Sequence, residues 1–356
     1  MGYSRTVFKS VSLRRPRVLA AAFAAVAALG FGLASPAAPS AQAQSSLIDG
    51  TFQLPGNQSK QPWLGNQPKI VNKRHVNGNF WKLDVWSPAN RAVITNNVLL
   101  PGGNQPRGSF YLLPGIQGGE QGMNWMSHTD IGPWFAGKNV NVVMPIGGAY
   151  SLYTDWNTAD PILGVNKWNT YMTHELPPLI DAEFHSNGRD AIAGLSSTGA
   201  AALDIAGHAP QRFRAAASYS GCPVRSGALG WPVSSVMMAA GGGSSVNAWG
   251  LPGSPAWADH DPNAQPHRLR DVKVFVASAS GTPGPIDDNY GPAQHLGPSA
   301  TEKVANECTN IYTRSARAAG VDVNRYYTNT GSHSFPLFSH QLKVSWAQTI
   351  RPAIGG

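Results

Sequence analysis

The chain has 356 residues, 42% of them hydrophobic and 13% charged, with 39 Gly and 28 Pro. Such hydrophobic content excludes a disordered chain, the low charge excludes a coiled coil, and Gly and Pro scattered without period exclude collagen-like and low-complexity architectures. The formal charge of +8 owes five cations to Arg5, Lys9, Arg14, Arg15 and Arg17; without them it is +3, and no basic run remains to argue for nucleic acid.

Those five cations precede one apolar segment, Val18 to Ala34, which is followed by Ala41-Gln42-Ala43. A basic region, a short apolar stretch and a small-residue site read as a secretory signal cut near Ala43. The segment is shorter than the roughly 20 apolar residues a membrane span needs. Arg14-Arg15 hints at twin-arginine export, but Pro16 and Arg17 follow it, which favours ordinary secretion. The expectation is an exported protein with no transmembrane helix in its mature part, residues 1–43 being the signal peptide and 44–75 a polar arm.

From residue 76 onward the pattern is that of a single domain running to 356. Phe80–Trp86, Arg91–Ile94 and Val98–Leu100 are strand-like. Short apolar runs suited to buried strands follow at Phe110–Leu113, Val140–Met144, Ala191–Ala193 and Val272–Ala277, with Val323–Thr328 last. Helical stretches lie between them: Trp168–Glu183, which Pro177-Pro178 must bend or restart, Ser197–His208, and Lys303–Ala319. Strands alternating with helices predict an α/β fold with a mostly parallel central sheet and flanking helices.

One segment concentrates the chemistry. Asp190 to Leu203 reads as buried strand, Gly194-Leu195-Ser196, then a small-residue helix, the arrangement of a nucleophile elbow. The strict G-x-S-x-G pattern is broken, because Thr198 stands where it wants Gly and Gly199 comes one place late. The alternative is that Ser196 only caps the helix. As a nucleophile, Ser196 would find one oxyanion donor in the Ser197 backbone N–H. A second would come from Ile116, in the Gly-rich turn that leaves the Phe110–Leu113 strand.

A serine of this kind needs a histidine and an acid, in the order Ser, acid, His. His333, just after a late strand, suits the base, with His340 its nearest rival. The acid stays open between Asp287 or Asp288, in the loop after Val272–Ala277, and Glu307. Glu307 lies inside a helix, where a carboxylate usually faces water. Cys308 beside it adds weight, because a Cys222–Cys308 disulfide would draw that helix to the end of the Ser218–Gly221 strand. An even cysteine count in an exported chain favours such a bridge. Neither cysteine has metal-site spacing, so no metal is expected.

Together these residues resemble the mycolyltransferases of the antigen 85 type. The matching motifs are Tyr111-Leu112-Leu113-x-Gly115, Val142-Val143-Met144-Pro145-Ile146-Gly147-Gly148, Tyr153-Thr154-Asp155-Trp156, Lys167-Trp168 and Glu175-Leu176-Pro177. They continue in Gly194-Leu195-Ser196, Trp249-Gly250, Pro255-Ala256-Trp257, Asp261-Pro262 and Gly331-Ser332-His333-Ser334. The cysteines look like those of the corynebacterial, nocardial and rhodococcal branch. The resemblance implies an α/β-hydrolase fold and a Ser196, Glu307 and His333 triad, with oxyanion donors at Ile116 and Ser197. It places Gln117, Asp155, Trp156, Ser334 and Phe335 at the substrate, with Glu120 and His128 near the same cleft.

The implied activity is transfer of a mycolyl group from trehalose monomycolate to a sugar hydroxyl of trehalose monomycolate or arabinogalactan, at the cell envelope and without a cofactor. The partners are then trehalose mycolates and cell-wall polysaccharide. Pro114 and Gln117 depart from the Asp and Arg that many relatives carry, which bears on trehalose binding. Two other readings are a secreted carboxylesterase with water as acceptor, and a non-catalytic carbohydrate- or matrix-binding protein on the same fold.

Overall fold

The computed structural model describes residues 62–103, 105–287 and 295–356. The signal segment with its cleavage site, most of the polar arm and Asp288 lie outside the described residues.

Among the described residues nine strands form one sheet in the order β1-β2-β3-β5-β4-β6-β7-β8-β9. They are β1 (Lys69–Asn77), β2 (Phe80–Ser87), β3 (Ala92–Leu99), β4 (Gly108–Leu113), β5 (Val140–Pro145), β6 (Asp190–Leu195), β7 (Phe213–Tyr219), β8 (Lys273–Ala279) and β9 (Val323–Thr328). The first three are antiparallel and β3 joins β5 antiparallel, while β5, β4, β6, β7, β8 and β9 pair in parallel. The α/β fold expected from the alternation is the observed one.

Side-chain alternation along the central strands builds a core on each face. Tyr111, Leu113, Ile192 and Val276 point to one face. They meet Leu176 and Ile180 of α1 (Leu176–Phe184), Leu203 and Ile205 of α2 (Ser197–His208), and Tyr312 and Ala316 of α4 (Leu296–Ala318). Phe110, Leu112, Val142, Ala193 and Phe275 point to the other face, against Phe338 and Leu342 of α5 (Phe335–Ser345) and Trp346. Strands buried on both faces explain why their sequences read as unbroken apolar runs.

A smaller core joins the segment after β5 to the β7–β8 crossover: Leu152, Trp156, Leu163, Met238, Trp249 and Trp257. Met238 belongs to α3 (Gly227–Ala239). Sequence reading places no helix there, because Gly227, Gly230 and Pro232 interrupt the pattern. It also misses β1 and α5. Residues 69–75, assigned by composition to the polar arm, form most of β1, which turns at Gly78-Asn79 into β2. This is an edge strand with almost every side chain exposed, so it lacks the apolar alternation that marks a half-buried strand. The double proline acts as expected: Tyr171–Glu175 forms a π-helical turn, and α1 restarts with proline in its first turn.

No helix of the described residues is long and apolar enough to cross a membrane.

Candidate active site

β6 ends at Leu195 and α2 begins at Ser197, leaving Ser196 in a sharp turn at φ +54°. A non-glycine residue held there stores backbone strain, which proteins retain mainly where function over-determines it. The turn is fastened from below, where the Ser196 N–H donates to Tyr219 O at 2.9 Å.

Two glycines make the turn possible. A Cβ on Gly194 would lie 2.1 Å from the Thr198 carbonyl oxygen, and one on Gly199 would lie 2.4 Å from Ser218 Oγ. The late glycine is therefore the one that packs α2 onto the β7 end. Thr198 fits the position before it because its hydroxyl turns away, donating to Pro114 O at 2.6 Å. That bond ties the first turn of α2 to the loop after β4. The backbone N–H groups of Ile116, in that loop, and of Ser197 have no acceptor among the described residues. The loop is braced in turn by Tyr150 N–H donating to Ile116 O at 2.7 Å and Gly147 N–H to Gly118 O at 2.7 Å.

His333 follows β9. Its Nε2 lies 2.8 Å from Ser196 Oγ, and its Nδ1 lies 2.8 Å from Glu302 Oε2. Phe338 packs edge-on against the imidazole, with centroids 4.8 Å apart. Glu302 is wholly buried. Its second oxygen accepts from Ser220 Oγ and from Ala279 N–H, both at 2.7 Å, and Gln341 Nε2 donates to Ser220 Oγ at 2.9 Å. The carboxylate is thus fully occupied and fixed in direction. A nearby cation, Arg325, donates to Ser278 Oγ at 2.6 Å and Asn306 Oδ1 at 2.8 Å. Burial pushes its guanidinium down to about 10, and the charge of Glu302 opposes that fall.

The acid beside the histidine is Glu302, not Glu307. On α4, Glu302, Ala305, Thr309, Tyr312 and Ala316 form the buried stripe, whereas Glu307 is exposed. Five residues along a helix turn the side chain by about 140°, which carries Glu307 away from the sheet. The Cys222–Cys308 disulfide is present, with Cα atoms 4.8 Å apart, and Thr309 Oγ1 donates to Gly221 O at 3.3 Å. Cys308 does draw α4 to the β7 end. Its sequence neighbour simply faces the other way. The 3-4-3-4 spacing from Glu302 to Ala316, with a lone carboxylate on an otherwise small or apolar stripe, is the signal that identifies the right residue.

Of the residues expected at the substrate, two are engaged elsewhere. Asp155 accepts from Thr170 Oγ1 at 2.6 Å and Thr170 N–H at 3.1 Å, holding the start of the helical segment before α1. Trp156 is 1% exposed in the small core, its indole N–H donating to Ser151 O at 2.9 Å. The burial of Trp156 is a correction to the expectation, whereas Asp155 is half-buried and bonded to Thr170. Ser334 is buried as the N-cap position of α5. Phe335 is half-buried and stacks on exposed His128 with ring centroids 4.7 Å apart, forming an aromatic surface two residues from His333. Gln117 is exposed on the turn that carries Ile116. Glu120 is exposed overall, yet enough protein surrounds its carboxyl for desolvation to raise it above the ordinary value.

Asp204, His208 and His260 have metal-ligand proximity, within 4.8 Å of one another. Two guanidiniums already occupy them: Arg225 Nη1 is 3.1 Å from Asp204 Oδ2, and Arg268 Nη1 is 3.1 Å from His208 Nε2. Cations so close to the ligand atoms make this an ion-pair network joining α2 to the crossover rather than a cradle for a divalent ion.

A serine in a strained strand–helix turn at the C-terminal edge of a mostly parallel sheet, bonded through histidine to a buried carboxylate, defines the architecture of the α/β-hydrolases. Comparison with known proteins agrees. Residues 87–349 match the Esterase family model, and the chain belongs to this antigen 85-like esterase family. It is 31% identical over 254 residues to diacylglycerol acyltransferase/mycolyltransferase Ag85A of Mycobacterium tuberculosis, an alignment covering 68% of this chain and 72% of the relative. It is 32% identical over 247 residues to the Ag85B protein of Mycobacterium leprae, covering 66% and 73%. Among solved structures it is similar to Mycobacterium tuberculosis MPT51, with TM-score 0.65 and 26% identity over 77% of this chain and 98% of that one. An S-formylglutathione hydrolase from Agrobacterium tumefaciens, at 16% identity, 79% and 99% coverage and TM-score 0.55, shares the fold.

Proposed function

We propose that this chain is an exported serine acyltransferase that moves a mycolyl group from trehalose monomycolate to a sugar hydroxyl. The observation that carries the reading is the continuous hydrogen-bonded line Ser196–His333–Glu302 beside two unengaged backbone N–H groups. Membership of a family whose relatives are named mycolyltransferases supports the choice of a mycolyl group, and a disulfide suits an oxidising compartment.

In the first half-reaction Ser196 Oγ attacks the ester carbonyl while His333 Nε2 takes its proton, and Glu302 stabilises the imidazolium at Nδ1. Charge develops on the carbonyl oxygen, where the Ile116 and Ser197 N–H groups would receive it. A donor of this kind is worth about 3 kcal/mol. Collapse expels the sugar oxygen, which takes the proton from His333. In the second half-reaction the acceptor hydroxyl gives its proton to Nε2 and attacks the acyl-Ser196 ester; the acyl–Oγ bond then breaks and Ser196 Oγ takes the proton back from Nε2. The two displacements return the enzyme unchanged and need no further reactant.

The acceptor side is unusual. Pro114 offers no side-chain polar group, and its carbonyl is taken by Thr198. Gln117 is uncharged, Asp155 is committed to Thr170 and Trp156 is buried. Hydrogen bonds to charged groups contribute roughly 1.5–3 kcal/mol each, so losing two should weaken binding of free trehalose substantially. Gln117, Glu120 and the His128–Phe335 surface are what remains on the exposed side.

The test is incubation of the purified protein with trehalose monomycolate, quantifying trehalose dimycolate and free mycolic acid with and without millimolar trehalose. The expected result is more transfer than hydrolysis, with added trehalose intercepting little of the acyl group. Free acid as the main product favours the carboxylesterase reading. Capture of most of the acyl group by trehalose contradicts the account of Pro114 and Gln117.

A further inference from the structure

Order in the sequence makes Asp287 a rival for the catalytic acid, and the structure gives it different work. Asp287 ends a short 3-10 turn, Pro285–Asp287, and is 1% exposed. Its carboxylate touches neither ring nitrogen of His333, both of which are committed to Ser196 and Glu302. It binds the chain on either side of that residue instead. Oδ1 accepts from Ser332 Oγ at 2.7 Å and from Ser334 Oγ at 3.4 Å, and Oδ2 accepts from Ser332 N–H at 3.0 Å and Gly284 N–H at 3.1 Å. Each of these groups donates, and the two backbone N–H groups can do nothing else. A buried acceptor is therefore required at this position, and an ionised carboxylate supplies it on both oxygens.

The surrounding backbone repeats the arrangement. Gly331 N–H donates to Thr282 O at 2.7 Å, Gly281 N–H to Gly331 O at 3.1 Å, and His333 N–H to Pro298 O, on the helix of Glu302, at 3.3 Å. The histidine segment is thereby fixed to the loop after β8 and to α4, and Asp287 is the charged group in that attachment. Catalytic groups must be held to within a fraction of an ångström, and a histidine on a loop has no helix or strand of its own to do so.

From this we infer that Asp287 is a positioning residue for the acyl-transfer reaction: it clamps Ser332 and Ser334 so that His333 stays aligned between Glu302 and Ser196. The inference rests on the function proposed above for Ser196 and His333. Asp287→Ala removes the acceptor altogether and leaves Ser332 N–H and Gly284 N–H unpaired, whereas Asp287→Asn can keep its amide oxygen on those two N–H groups and turn its NH2 to the Ser332 and Ser334 hydroxyls, which accept. The clamp therefore opens in the alanine variant.

The experiment follows labelling of Ser196 by a fluorophosphonate in the full mature protein, recording both the rate constant and the final labelled fraction. We expect Asp287→Ala to reach the parental fraction with a rate constant lower by roughly 10–100-fold, the scale of a misplacement of about 1 Å. A residue that only supported the fold would lower the labelled fraction and leave the rate constant of the remainder unchanged; that outcome, or a parental rate constant at full labelling, overturns the inference. Should Asp287→Ala not fold, Ser332→Ala decides. It removes one donor to the clamp and should slow labelling roughly 3–10-fold, and an unchanged rate constant there overturns the inference equally. A parent protein that takes no label at Ser196 overturns the functional reading itself, and this inference with it, a result distinct from fast labelling of the variants.

Discussion

Replacing Glu302 with Gln should lower the rate of acyl-enzyme formation by roughly 10³–10⁴-fold, while Glu307→Gln should leave it within about twofold of the parent. The cause is proton placement. The Glu302 oxygen that faces Ser220 and Ala279 receives two donors, and the Ala279 N–H can only donate. In Glu302→Gln the amide oxygen must settle there, which aims the NH2 group at His333 Nδ1. That ring nitrogen then has to accept, so Nε2 carries the proton and cannot take one from Ser196. The geometry survives and the base is lost. Burst kinetics with an activated ester measure this directly, and near-parental acylation in Glu302→Gln would return the assignment of the acid to the residue beside Cys308.

Gly194→Ala should be as damaging to the fold as Glu302→Gln is to the chemistry. The added methyl would lie 2.1 Å from the Thr198 carbonyl oxygen and 2.8 Å from Thr198 Oγ1. Neither neighbour can yield cheaply, since the first is helix backbone and the second bridges Pro114 O and Leu195 O. Relief requires moving the end of β6 away from the start of α2, and those two elements define the position of Ser196. Overpacking typically costs 1–3 kcal/mol, and a backbone collision should reach about 3 kcal/mol or more. Thermal unfolding checks the stability, and fluorophosphonate labelling of the folded fraction checks the turn. An Ala variant that melts and labels like the parent would show that the turn tolerates a side chain there.

What could be read from the sequence follows burial. The central strands declare themselves because both faces are covered, and Ser196 because the turn needs a small residue on either side. β1 is silent because its side chains face solvent, and α3 because glycine and proline interrupt an apolar helix. His333 is legible from its place after β9. The acid is not, because the argument for Glu307 rests on adjacency to Cys308 along the chain. A helix separates sequence neighbours by about 100°, so the bridge places α4 correctly and still leaves Glu307 in solvent. Trp156 misleads for a related reason. Its motif is dense in residues that suit a sugar site, yet the small core already buries the indole. The position of Asp287 between Gly284 and Ser332 depends on how two loops meet, which no local pattern encodes.

The central claim is that the acyl group passes through Ser196. The most direct test is to incubate the protein with p-nitrophenyl butyrate, quench in acid during turnover, and map the butyryl adduct by peptide mass spectrometry. The account predicts one adduct on the peptide carrying Ser196, absent from Ser196→Ala. An adduct on another residue, or undiminished ester turnover by Ser196→Ala, would contradict it.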